Sequence, residues 1–160
     1  MKHPSGRYIR VLLGIGCAVL LWECMADHRV FMTDVNPSGW KTGDAVTAEF
    51  PNGDTVSLCD LYVVVRYDER AAGREVPLTV ETLAPDSLAV GETITVRIPR
   101  RTFDRAVERN SVFFEREEPY RLRARLQRQG VYRFRFTPVG TTAVEGIAAI
   151  GIRAVPDGGR

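Results

Sequence analysis

Beyond its first two dozen residues the chain is patterned as a series of short strands. Residues 44–50 set Ala45, Thr47 and Glu49 against Val46, Ala48 and Phe50, the period-two alternation of a half-buried strand. Residues 55–67 contain the unbroken run Leu61-Tyr62-Val63-Val64-Val65, which predicts a strand covered on both faces. Further segments rich in Val, Ile, Thr, Phe and Tyr fall at 29–33, 74–83, 92–98, 120–127, 131–137 and 149–155. Turn chemistry separates them, above all at Asn36-Pro37-Ser38-Gly39 and Pro51-Asn52-Gly53-Asp54. The charged stretch 100–108, with Phe103 and Val107 four apart, reads as a loop holding at most a helical turn. About eight or nine strands at regular intervals predict an all-β fold, a single β-sandwich of immunoglobulin-like or jelly-roll-like type. The sandwich is expected over 37–160, behind a tether and short first strand at 24–36.

The most regular hairpin pattern is Tyr120 to Phe136. Tyr120, Leu122, Ala124 and Leu126 alternate with Arg121, Arg123, Arg125 and Gln127. After the turn Arg128-Gln129-Gly130, Tyr132, Phe134 and Phe136 alternate with Arg133 and Arg135. If the two strands pair directly, Arg121, Arg123, Arg125, Arg133 and Arg135 share one face of a ribbon. Like charges placed opposite one another are destabilising, so partners are needed, and Glu115, Glu117 and Glu118 lie just upstream. The plain reading is a solvated face of exchanging ion pairs. The sharper one is a docking surface for an acidic partner or for phosphate-bearing lipid A, which the planar guanidinium grips in bidentate fashion.

The N-terminus has a different pattern. Lys2, Arg7 and Arg10 precede the apolar run Val11 to Trp22, and no acid occurs before Glu23. Those twelve residues span about 18 Å as a helix, against about 30 Å for a bilayer core. The length suits a secretory leader, expected over 1–23, that ends at Cys24 as in a bacterial lipoprotein. Glu23 is a poor residue before an acylated cysteine. Cys17 has the better local context in Gly14-Ile15-Gly16 but leaves a short apolar segment, so Cys24 is preferred as the lipidation site. Two acyl chains anchor stably where one does so marginally.

Charge then changes meaning. The formal net charge is +2, but without the leader's three basic residues and Glu23 there remain 19 of each sign. A neutral domain gives no argument for nucleic acid. Reactive chemistry is sparse. Past the leader only His28 could serve in a Ser-His-Asp or Cys-His arrangement, and it sits beside the expected anchor. Cys59, in a strand pattern, reads as a small buried hydrophobe. Asp60, Asp86 and Glu145 interrupt apolar stretches, and Asp86 is simply explained as a turn residue. No catalytic residue, metal site or cofactor is expected. Trp40 follows a turn and precedes a strand; it reads as a plug for the end of the core, with a sugar-stacking platform as the alternative.

In this order the features resemble the GldH family of gliding-motility lipoproteins of Bacteroidota. The residues that carry the resemblance are the lipoprotein-like leader, Arg29-Val30-Phe31, and Trp40 leading through Asp44 to Phe50. They continue with the Leu-x-x-x-x-Arg strand Leu61 to Arg66, Pro85-Asp86, Gly130-Val131-Tyr132, and Gly146-Ile147-Ala148-Ala149-Ile150-Gly151-Ile152. Arg66-Tyr67-Asp68-Glu69-Arg70 departs from the family's Arg-Asn-x-x-x-Tyr-Pro segment. The resemblance implies an outer-membrane lipoprotein on the periplasmic face, associated with motility and type IX secretion machinery and its envelope proteins. It transfers no catalytic residue. Two functions are therefore expected in order: a membrane-anchored interaction module, and a glycan- or lipid-binding sandwich module of the envelope.

Overall fold

The computed structural model describes residues 29–100 and 113–157. Eight strands occur in these segments: β1 (Arg29–Asp34), β2 (Val46–Asn52), β3 (Cys59–Tyr67), β4 (Glu75–Leu83), β5 (Ala89–Arg97), β6 (Phe114–Ala124), β7 (Gly130–Pro138) and β8 (Ile147–Pro156). They form two four-stranded antiparallel sheets, ordered β1-β8-β3-β6 and β2-β7-β4-β5. The fold is a β-sandwich. One 3-10 turn at Glu69–Ala71 joins β3 to β4, capped by the Asp68 carboxylate, which accepts from the Arg70 N–H. The stretch 101–108, where a helical turn was expected, lies outside the described residues.

Alternation builds the core. Leu61, Val63, Val65 and Tyr67 of β3 and Ile150 and Ile152 of β8 face Phe134 and Phe136 of β7 and Val76, Leu78 and Val80 of β4. Edge-to-face ring pairs connect the sheets, Phe31 with Phe50 at 5.2 Å and Tyr120 with Phe134 at 6.5 Å. The continuous run of β3 behaves as its pattern predicts. Val64 is fully buried although it points away from the core formed by Val63 and Val65. Its register neighbours on the outer face are Gly151 and Glu117, and Glu117 is ion-paired to Arg153.

Two expectations change. β6 begins six residues before the predicted 120, because Glu115 to Pro119 pair with β3 instead of approaching it through solvent. An edge strand tolerates such a sequence, since charge and proline protect an exposed edge. The hairpin from Tyr120 to Phe136 does not form. β6 belongs to one sheet and β7 to the other, and the chain between them arches from sheet to sheet.

The ends of the sandwich have distinct contents. At one pole lie the start of β1, the 53–58 loop, the 84–88 hairpin turn, the β6–β7 arch and the end of β8. At the other lie Trp40, the 3-10 turn and Gly146.

Candidate functional site

The first pole carries a pocket of about 290 Å³. Its walls are Phe50, Leu58, Leu126, Ala154 and Pro156, with Asn52, Asp54, Ser57 and Cys59 supplying polar atoms. These polar groups are engaged within the fold. The buried Asn52 amide donates to the carbonyls of Leu126 and Arg128, both at 2.9 Å, and so ties the arch to β2. Asp54 accepts from the backbone N–H groups of Val56 and Ser57 at 2.8 and 2.9 Å. Its pKa falls from 3.8 to about 2, the Ser57 side chain contributing most and those two N–H groups adding to it. The half-buried Cys59 thiol donates to the Ala124 carbonyl at 3.6 Å. Burial first, then the charges of Asp60 and Asp54, push this thiol up, which disfavours the nucleophilic thiolate. The pocket is therefore chiefly an apolar recess. Nothing in the turn signal Pro51-Asn52-Gly53-Asp54 marks Asn52 as the residue that braces it.

The five arginines do not share a face. The pairing of Leu61 with Arg121 and of Tyr62 with Pro119 leaves Tyr120 in a bulge, and a bulge redirects side chains. Tyr120 turns inward and its hydroxyl meets the Thr82 hydroxyl at 3.0 Å. Arg121 lies over the Tyr120 ring, 5.1 Å from its centroid, and pairs with Glu92 of β5. Leu122 is left 59% exposed. Arg123 adopts φ 52, donates its N–H to Asp60 at 2.8 Å and sends its guanidinium toward Asp157. Arg125 is exposed at the start of the arch. On the other sheet, Arg133 stands opposite Glu49 and Arg135 opposite Glu81, each forming an ion pair with its register partner. The like-charge problem of a direct hairpin is thus solved by giving β7 two acidic neighbours. Glu115, Glu117 and Glu118 pair with Arg66, Arg153 and Arg116, not with these five.

Trp40 is a core residue. It is 3% exposed, its indole N–H donates to the Asp44 carbonyl at 2.9 Å, and it bridges to Val144. A buried ring offers no face to a sugar, which corrects its reading as a ligand platform. Asp86 accepts from Arg128 at 2.8 Å beside the 84–88 turn. Asp60 serves the Arg123 backbone, and Glu145 is exposed at the far pole. Among the described residues no group of three or more His, Cys, Asp or Glu side chains is placed to hold a metal ion. Cys24, Cys17 and His28 lie outside the described residues.

No family model and no curated protein matches the sequence. Among solved structures, the chain is similar to the native structure of a family 35 carbohydrate binding module from Clostridium thermocellum, at 11% identity and a TM-score of 0.39. The alignment covers 79% of this chain and 91% of that one. The sandwich assignment rests on the strand pairings above and not on this likeness.

Proposed function

We propose that the protein is a non-catalytic envelope module, exported by its N-terminal leader and held on a membrane by a lipid at Cys24. The observation that carries this reading is a spacing. Cys24 precedes the first strand by five residues, and that strand is paired with β8 along all six of its residues. Five extended residues reach at most about 18 Å. A lipid at Cys24 would therefore keep a folded sandwich close to the bilayer, as suits a component that works by contact. The finer role, in gliding-motility and type IX secretion machinery of the outer membrane with envelope proteins as partners, rests on the resemblance to the GldH family.

A glycan-binding module is the less favoured reading, because Trp40 is in the core and, among the described residues, the pocket offers only Phe50 as an aromatic, 5% exposed. The test is flotation of cell membranes carrying the wild-type chain, Cys24→Ala or Cys17→Ala. Loss of flotation in Cys24→Ala alone supports the reading. Loss in Cys17→Ala alone moves the anchor, and flotation of neither wild type nor variants removes it.

A further inference from the structure

We infer that the pole carrying the pocket lies against the lipid surface, with its exposed apolar side chains at the headgroup boundary. This inference rests on the tether proposed above and goes beyond it, because a tether alone fixes distance and leaves orientation free.

The observation is the distribution of exposed apolar side chains. Eight large hydrophobic residues among those described are exposed, and six of them belong to one pole: Val30, Val56, Leu88, Val90, Leu122 and Val131. Val56 and Leu88 protrude most, at 74% and 65% exposure, and each sits in a connection between strands. Phe113 and Val139 are at the opposite pole. Scattered exposed hydrophobics are ordinary on a folded protein, whereas a concentration at one end calls for a partner surface.

The chain outside the described residues indicates which surface this is. β1 starts at this same pole, opposite Ala154, so the five residues from Cys24 arrive here. A lipid at Cys24 brings this pole to the bilayer before any other part of the molecule. The pocket opens beside it with apolar walls. Arg123, Arg125 and Arg128 at this pole are at least matched in number by the carboxylates of Asp54, Asp60, Asp86 and Asp157, with Arg128 paired to Asp86 at 2.8 Å and Arg123 to Asp157 at 3.7 Å. Apolar insertion at the interface therefore carries the contact, rather than attraction between an uncompensated charge and anionic lipid.

The test uses the full chain purified from membranes and reconstituted into vesicles of phosphatidylethanolamine and phosphatidylglycerol, with and without brominated phosphatidylcholine. In a Trp40→Phe background, single tryptophans replace Val56, Leu88 or Leu122 at this pole and Val139 at the other. The expected result is about two-fold quenching by bromine for Val56→Trp, Leu88→Trp and Leu122→Trp, as for side chains about 5–10 Å into the headgroup boundary, with Val139→Trp unquenched. Chain that floats with the vesicles but shows no quenching at this pole overturns the docking and leaves the tether standing. A concentration-dependent blue shift without quenching assigns the pole to a second copy of the chain and overturns the lipid contact. Chain that does not float removes the tether and the docking together.

Discussion

Arg29 of β1 stands opposite Ala154 of β8, so the described chain enters the sandwich beside the strand by which it leaves. That pairing sets the pole at which the 53–58 loop, the β6–β7 arch and the pocket meet. It also joins the two halves of the functional account, since the same pole receives the expected anchor and carries six of the eight large apolar side chains exposed among the described residues.

The β1–β8 pairing depends on Gly151. A Cβ added there would overlap the backbone oxygen of Phe31 and approach the Met32 Cα to 2.6 Å. Backbone cannot move aside as a flexible side chain can, so Gly151→Ala should destabilise by about 2–3 kcal/mol. Gly91→Ala, with nothing within 4 Å of the added atom, is the matched control and should stay near neutral. Urea unfolding of both variants checks this, and equal midpoints would contradict the close approach.

Trp40→Ala should cost about 3–5 kcal/mol, because a large buried side chain is removed from the core. Trp40→Phe should cost less, losing the indole bond to the Asp44 carbonyl while keeping most of the burial. Thermal unfolding distinguishes the two. A Trp40→Ala protein as stable as wild type would return this residue to the surface.

The arginines of β7 should matter little to stability. Arg133 and Glu49 are 58% and 62% exposed, and exposed pairs contribute about 0–1 kcal/mol. Arg133→Ala and Arg135→Ala should therefore each shift unfolding by less than about 1 kcal/mol, an effect weakened by salt. Tyr120→Phe should cost about 1 kcal/mol through the lost bond to Thr82, and this loss should not depend on salt.

Acid should weaken the fold through its lowered carboxylates. Asp54 is held at about 2 against 3.8. Asp68 and Asp86 are lowered too, chiefly by hydrogen bonds from Arg70 and Arg128. A folded-state value below the unfolded one gives stability that is present above the unfolded value and lost as pH falls through the folded one. The urea midpoint should therefore be flat between about pH 5 and 8 and fall between about pH 4 and 2. Asp54→Asn keeps a turn-capping oxygen and removes the titration, so its decline should be shallower.

Local pattern made most of the sandwich legible. Alternation in Val46 to Phe50 and the run Leu61 to Val65 indicate one half-buried and one central strand, and each describes a relation between a residue and its own neighbours. The arch between β6 and β7 was not legible, because Arg128-Gln129-Gly130 suits a hairpin equally well. What decides against one is distant: Glu49 and Glu81 stand beside Arg133 and Arg135, and Asn52 holds the carbonyls of Leu126 and Arg128. The bulge at Tyr120, which takes Arg121 away from the other arginines, likewise depends on register with β3. Trp40 had two readings because a turn followed by a strand is compatible with both. Packing against the far pole selects one.

The most direct test of the tethered-module account is the intact mass of the protein extracted from membranes. The account predicts a chain beginning at Cys24 and carrying a diacylglyceryl group and an amide-linked acyl chain. A mass equal to the unmodified polypeptide, whether cut after the leader or uncut, would contradict it.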